Sequence, residues 1–263
     1  MNKLTVNING QEIEYNIPST YSEFTYSGWV SFFKTQGDFL IKLLAAGGFD
    51  LNLYLATRNK FGLKPSDIDY IQLNSFKNSF VDEQGKLLDI EIVENPLPMF
   101  DNILVNFYGI SLYSEKLYAT NIMAISFEQF VVCEQHTYMI SEFEKENNEQ
   151  GIENSLREIF KTIYLPENQT FKYGEVRKIN VDYPNLMICY YHYITMIAQI
   201  LSIYKSTLSS ENNQTTNTQP SVFWWEFKIN YFNLTGLQPD IIDKMNLEDI
   251  LKHIEILKNG STS

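Results

Sequence analysis

Apolar and polar residues alternate along the start of the chain in the pattern of a β-hairpin. The alternating apolar residues are Leu4, Val6, Ile8, Ile13, Tyr15 and Ile17. Asn9-Gly10 stands between the two runs, and both residue types accept the positive φ that a two-residue type I′ turn requires. We therefore expect two antiparallel strands, the second of which ends at Pro18.

After the hairpin, apolar residues recur at spacings of three and four, which predicts helices. The predicted helices cover residues 24–35, 39–46, 51–60 and 66–73. Thr20 followed by Glu23 is a capping box that would start the first helix, and Ser66 would cap the last. Alternation returns later and predicts strands at 87–93, 103–112 and 117–125. Residues 1–124 are thus predicted to be an α+β domain, and a β-grasp-like arrangement is compatible with the order of its elements.

The remainder of the chain is predicted to be helical. Ser126 and Gln129 form a capping box before a helix that reaches residue 144. Charged residues 142–153 predict a solvated connection, and further helices are expected at 152–164 and 185–208. Residues 209–221 contain no apolar residue and predict a flexible linker, because they can bury nothing to offset the entropy of ordering.

The predicted fold class is therefore α+β, with a small N-terminal domain of hairpin and helices followed by a mostly α-helical C-terminal half. The predicted divisions are an α+β domain at 1–124, a helical domain at 125–208, a linker at 209–221 and a C-terminal aromatic helical segment at 222–263.

The C-terminal segment begins with a helical pattern that has only a narrow polar stripe. That stripe consists of Glu226, Asn230 and Asn233. One flank carries Phe223, Trp224, Phe227 and Tyr231, and the other carries Trp225, Ile229 and Phe232. Gly236 predicts the end of the helix and Pro239 the start of the next, while Asn246 is expected to cap the last helix.

Two interpretations of this aromatic helix stay open. It is either part of the chain's own core or a docking helix for a partner protein, since aromatic residues dominate binding hot spots. The candidate partner-binding residues are Phe223, Trp224, Trp225, Phe227, Tyr231 and Phe232.

Charge narrows the range of partners. The chain of 263 residues has a formal net charge of −12 and lacks the Lys and Arg clusters that bind phosphates, so we expect no nucleic-acid partner. Its start leads directly into the strand pattern, which predicts no signal peptide. Two cysteines do not make a disulfide framework, and a reducing compartment is therefore expected.

A run without charged residues at 186–204 is about as long as a membrane-spanning helix. It also contains His192, Thr195, Gln199 and Ser202, which are costly in lipid. A buried core helix is the favoured interpretation, with a membrane span as the alternative. We expect no membrane partner.

Each cysteine stands three residues before a histidine, at Cys133 and His136 and again at Cys189 and His192. Positions i and i+3 share a helix face, so two packed helices could direct all four side chains to one tetrahedral zinc ion. Both pairs lie in predicted helices rather than turns, however, and cysteine is often buried for packing alone. The prediction is no cofactor, with zinc as the alternative.

Catalytic motifs are missing from the sequence. It contains no nucleophile elbow, phosphate-binding loop, dinucleotide fingerprint or HExxH motif. The acidic residues are scattered and form no recognisable catalytic pair. We predict no catalytic residues and no enzyme, and a zinc-dependent enzyme is the least favoured alternative.

Three stretches of the chain carry patterns that point to one group of proteins. The first is W-x-F-x3-Y-x-x-L-T-G-x-x-P-x-x-I-x-x-M from Trp225 to Met245. The second joins ISFEQF at residues 125–130 to LREIFKTIYLP at 156–166, and the third is the opening at 6–25. These stretches resemble tail-morphogenesis proteins of tailed bacteriophages, in particular their tail assembly chaperones, whereas residues 82–124 match nothing in this group.

The resemblance implies a non-enzymatic protein of the host cytoplasm that binds apolar segments of a tape-measure or other tail or virion protein until assembly. A structural virion protein, such as a connector or baseplate component, is the alternative and would remain in the particle. An oligomer is compatible with both.

Overall fold

The computed structural model describes residues 1–8, 11–51, 54, 70–93, 97–107, 110–174, 179–205 and 220–260. In chain order the strands are β1 (Asn2–Ile8), β2 (Gln11–Ile17), β3 (Phe100–Phe107), β4 (Ile110–Ala119) and β5 (Tyr164–Pro166). The helices are α1 (Tyr26–Lys34), α2 (Phe39–Ala46), α3 (Tyr70–Ser75), α4 (Phe127–Lys145), α5 (Glu149–Ile163), α6 (Tyr183–Ile203), α7 (Pro220–Thr235), α8 (Pro239–Lys244) and α9 (Leu247–Gly260). The predicted α+β class is confirmed.

The chain divides into two compact units. The first comprises Met1–Leu97 and Asp182–His192, and the second comprises Pro98–Val181 and Tyr193–Ser263. The predicted boundary after residue 124 therefore lies inside the second unit, which also contains the C-terminal segment. Residues 209–219 of the predicted linker lie outside the described residues, and its last two residues, Pro220 and Ser221, begin α7.

The N-terminal hairpin is confirmed. β1 and β2 pair antiparallel from Asn2 opposite Ile17 to Ile8 opposite Gln11, which leaves a two-residue connection. Its residues, Asn9 and Gly10, lie outside the described part, so the turn type stays a prediction. Among the described residues the two strands form a sheet of their own, whereas a β-grasp-like arrangement would need further strands in that sheet.

The core of the first unit is aromatic. Trp29 is 1% exposed and stacks on Phe24 at 4.2 Å and on Phe33 at 5.6 Å between ring centroids. The hairpin contributes Leu4, Val6 and Ile17 to the same cluster, which also includes Ile188 of α6.

The predicted start of the first helix is wrong. Thr20 makes no capping hydrogen bond, and Tyr21–Glu23 form a separate turn of 3-10 helix. The Glu23 carboxylate instead accepts hydrogen bonds from the backbone N–H and hydroxyl of Ser19. α1 begins two residues later than predicted, and its cap is Thr25, whose hydroxyl accepts from the N–H of Gly28.

Of the other helices predicted in this unit, the structure describes one completely and two in part. α2 matches its predicted bounds, and Asp38 caps it through the N–H of Ile41. The helix predicted at 51–60 lies outside the described residues apart from Leu51 and Tyr54, which are helical. The Ser66 cap also lies outside them, and the following helix is described over α3.

The strand predicted at 87–93 is wrong. Only Leu87 pairs, in an isolated bridge with Val81, and residues 88–93 belong to no sheet. A strand needs a neighbouring strand as well as an alternating sequence, and the described part of this unit provides none here.

The second unit contains a three-stranded antiparallel sheet of order β3-β4-β5. The single strand predicted at 103–112 is instead two, because β3 ends at Phe107 and β4 begins at Ile110 and pairs with it antiparallel. The third predicted strand, 117–125, is wrong, because β4 ends at Ala119 and a 3-10 turn follows at Ile122–Ala124. β5 was not predicted; it pairs Tyr164 to Pro166 with the end of β4.

A helical hairpin of α4 and α5 forms the centre of the second unit. The predicted capping box is present, with Ser126 and Gln129 each bonding the other's backbone N–H. The Gln129 amide also donates to the carbonyl of Thr162 at 2.8 Å, which ties α4 to α5. The solvated connection predicted at residues 142–153 is shorter in the structure, because α4 extends to Lys145 and α5 begins at Glu149.

Candidate protein-binding site

One face of α7 packs into the second unit. Trp224 is 5% exposed, and its ring meets Phe130 of α4 edge-on at 4.6 Å. Phe227 stacks on Phe127 at 5.9 Å, and Tyr231 is 1% exposed. The predicted flank of Phe223, Trp224, Phe227 and Tyr231 is therefore the inner side of the helix.

Polar contacts fix α7 to the two helices that follow it. The Lys228 ammonium donates to both carboxylate oxygens of Asp243 on α8, at 2.6 Å each. A hydrogen bond of 2.7 Å joins the Tyr231 hydroxyl to Nδ1 of His253 on α9. Burial, and then the nearby Asp249 carboxylate, raise the pKa of the Tyr231 hydroxyl. The orientation of α7 in its unit is thus determined by apolar packing and by two polar contacts.

The opposite flank of α7 is exposed at Trp225. We call Trp225, Ile229 and Phe232 the outer stripe, because they are spaced i, i+4 and i+7 along one side of the helix. Trp225 is 62% exposed, while Ile229 and Phe232 are half-buried. Leu234 is also exposed, at 67%, but it projects on the far side of the polar stripe. The outer stripe is therefore an apolar surface on a helix whose position is fixed.

The six candidate partner-binding residues consequently separate by exposure. Trp224 and Tyr231 are buried in the chain's own unit, and Phe223, Phe227 and Phe232 are half-buried. Trp225 alone of the six is largely exposed. Ile229 was not among the candidates, although its position between Trp225 and Phe232 in the helical pattern was visible in the sequence.

Two predicted signals, Gly236 at the end of α7 and Pro239 at the start of α8, are confirmed, while Asn246 directly precedes α9 and its capping bond stays a prediction. Gly236 has a φ of +71°, which lets the chain leave α7 at no steric cost, and Pro239 is the first residue of α8. The N–H of Phe127 donates to the carbonyl of Met245, and the N–H of Leu247 donates to that of Ile125. The start of α9 is thereby attached to the start of α4.

The two cysteine–histidine pairs lie in different units. Cys133 and His136 are on α4 in the second unit, and Cys189 and His192 are on the part of α6 that belongs to the first. Both cysteines are fully buried thiols, and burial raises the pKa of Cys189. That shift disfavours the thiolate, which is the form that binds metals and acts as a nucleophile.

The two histidines have different surroundings. His192 Nδ1 lies 3.2 Å from the carbonyl oxygen of Ile92, which can only accept, so Nδ1 carries the proton. The Nδ1 atom of His136 is buried and has no hydrogen-bond partner in the described part of the chain. Burial lowers the pKa of both imidazoles. Among the residues that the structure describes, no three His, Cys, Asp or Glu side chains are grouped to hold a metal ion. The zinc site stays an untested alternative.

α6 includes most of the uncharged run. Within the described ranges it is the one helix long and apolar enough to span a bilayer, with a mean hydropathy of 1.4, and 44% of that window is buried inside the protein. Core helices of soluble proteins meet the same criteria. The buried residues include His192 and Tyr193, and the hydroxyl of Tyr193 donates to a carboxylate oxygen of Glu134 at 3.0 Å.

Glu134 is a half-buried acid that the sequence did not single out. Burial raises the pKa of its carboxyl group, and the hydrogen bond from Tyr193 only partly opposes that shift. The sequence did carry a sign of this position, because Glu134 follows Phe127 and Phe130 at i+7 and i+4 on the same side of α4. It is a polar residue on an apolar helix face.

Comparison with models of known protein families, with curated proteins and with solved structures found no match. The likeness to tail-morphogenesis proteins therefore rests on the sequence stretches alone.

Proposed function

We propose that this chain is a non-enzymatic protein of phage tail assembly that holds an apolar segment of another tail protein against the outer stripe of α7. The observation that carries the proposal is the 62% exposure of Trp225 on a helix whose other flank is packed and held by Lys228 and Tyr231. An exposed tryptophan lowers the solubility of the folded chain. A partner protein that covers the ring would remove that disadvantage.

The chemistry of the stripe indicates the kind of partner. Tryptophan, isoleucine and phenylalanine on one side of a helix match the apolar face of a second helix or an apolar loop. The net charge of −12, together with the exposed Glu226 beside the stripe, favours a segment flanked by basic residues, because complementary charge speeds association. We place the encounter in the host cytoplasm, before the partner enters the particle.

The proposal is tested by affinity capture with the tape-measure protein of the phage. Trp225→Ala should weaken binding roughly 30-fold, since central aromatic residues of an interface are worth about 2 kcal/mol or more. Leu234→Ala is the matched control, because Leu234 is equally exposed on another side of the same helix. Equal loss in both variants, or none in either, would contradict the assignment of the stripe.

Mass spectrometry of purified virions separates the two roles within tail assembly. A chaperone is absent from the finished particle, whereas a connector or baseplate component is present at a fixed number of copies. Detection in virions would replace the chaperone role with the structural one.

A further inference from the structure

The segment at residues 87–93 has the sequence of a strand, but the described residues include no strand beside it. It contains no helix, turn or bend between Leu88 and Val93. Its inward side consists of Ile90, which is half-buried, and Ile92, which is 2% exposed, whereas Leu88 is 45% exposed. On its outward side Leu87, Asp89, Glu91 and Val93 are all exposed. Burial therefore alternates from Ile90 to Val93 as in an extended chain, with Ile90 and Ile92 packed on the core of the first unit.

One backbone edge of this segment is already occupied. The N–H of Leu88 donates to the carbonyl of Phe80 at 2.8 Å, and the Tyr21 hydroxyl donates to the carbonyl of Leu88 at 3.0 Å. Further along, His192 Nδ1 donates to the carbonyl of Ile92. These contacts all involve even-numbered residues, whose backbone groups point to the same edge of an extended chain.

The other edge is open. In the part of the chain that the structure describes, the backbone N–H and C=O groups of Asp89, Glu91 and Val93 have no hydrogen-bond partner. Successive residues of an extended chain direct these groups to opposite edges, so the odd-numbered residues form one row. Such a row of unpaired groups is a template for an added strand.

We propose that this edge binds an extended segment of another protein by β-strand addition, and that the bound segment alternates basic and apolar residues. On the outward face the added strand would lie beside the carboxylates of Asp89 and Glu91, which select Lys or Arg there. On the inward face it would lie beside Ile90 and Ile92. This site is separate from the outer stripe of α7 and does not depend on the function proposed for it.

Charge supports this choice of occupant. Asp89 and Glu91 are exposed and have no ion pair among the described residues. Both lie close enough to Tyr21 to contribute, after burial and Tyr191, to raising its pKa to about 12. An acidic extended segment would add like charges to this edge and is therefore excluded. Cross-strand pairs of opposite charge stabilise a sheet, and like charges oppose it.

The probe is a synthetic peptide of alternating valine and lysine, added to the full chain labelled with 15N. Binding should slow hydrogen exchange at the amides of Asp89, Glu91 and Val93, while the Leu88 amide, already bonded to Phe80, should change little. We expect a Kd below about 1 mM. The peptide of alternating valine and glutamate should not bind.

A charge variant tests the occupant. Asp89→Asn combined with Glu91→Gln should weaken the lysine peptide roughly 5-fold, from two exposed cross-strand pairs. Glu12→Gln combined with Glu83→Gln removes the same charge elsewhere in the unit and should leave binding unchanged.

Four results would overturn the proposal: no binding, equal binding of the glutamate peptide, binding without protection of the odd-numbered amides, and protection that rises with protein concentration alone. The last would mean that a second copy of the chain covers the edge. Trp225→Ala should leave peptide binding intact, which keeps this test distinct from that of the outer stripe.

Discussion

The two adjacent tryptophans of α7 should differ sharply in what they contribute to stability. Trp224 is 5% exposed and contacts Phe130, whereas Trp225 is 62% exposed. Substituting each by alanine changes the same residue type on the same helix turn. The comparison therefore isolates burial from helix propensity and from any property of tryptophan itself.

The magnitudes follow from the buried areas. Burial removes about 150–250 Å2 of a tryptophan from water, which is worth about 4–6 kcal/mol at about 25 cal/mol per Å2. Trp224 is almost completely buried, and we expect Trp224→Ala to cost about 3–5 kcal/mol, the range of such core truncations. Trp225 has about two fifths of its surface buried, and we expect Trp225→Ala to cost about 1–2 kcal/mol.

Urea unfolding measures the difference. With a slope of about 2 kcal/mol per molar urea, the midpoint should fall by about 2 M for Trp224→Ala and by less than about 1 M for Trp225→Ala. Each variant keeps Trp29 in the first unit together with the other tryptophan of α7, so far-UV circular dichroism, which follows the helices, is the measurement of unfolding. Equal costs, or a larger cost at Trp225, would refute the assignment of the inner and outer sides of α7.

Three further results are expected. Gly47→Ala should lower the free energy of unfolding, measured by urea titration, by about 1–3 kcal/mol, because an added Cβ would lie 2.9 Å from the backbone carbonyl oxygen of Asn16. An unchanged urea midpoint would mean that β2 and α2 can move apart at this point. The raised pKa of Glu134 makes the folded state hold a proton that the unfolded chain releases, so stability should fall as pH rises from about 4.5 through the folded value. Glu134→Gln should remove that fall, and an unchanged pH profile of the urea midpoint would contradict it. Protein purified without a histidine tag should contain no stoichiometric zinc by mass spectrometry, and one zinc per chain would establish the metal alternative.

The predictions that succeeded depend on residues close together in the sequence. The capping box of Ser126 and Gln129, the end of α7 at Gly236 and the pairing of β1 with β2 each involve partners within a few residues or across a tight turn. The capping box at Thr20 failed although its pattern was as good. Glu23 accepts from the N–H and hydroxyl of Ser19 instead, and the pattern does not show which of two neighbouring residues a carboxylate will bond.

The predictions that failed depend on distant residues. The segment at 87–93 alternates like a strand but has no neighbouring strand among the described residues, and β5 is short enough that only its pairing with β4 reveals it. Periodicity reports which residues share a face. It does not report whether another segment of the chain lies beside a candidate strand and pairs with it.

The sequence by itself therefore determined the α+β class, the helical character of the C-terminal half and the two apolar flanks of α7, because these follow from local spacing. Only the tertiary structure decided which flank is buried. Trp224 and Trp225 are neighbours with the same chemistry. Trp224 is in the core because Phe127 and Phe130 of α4 lie on its side of the helix, and nothing in the described chain covers Trp225 to the same degree. Burial is a property of two surfaces, and the sequence of one helix specifies only its own.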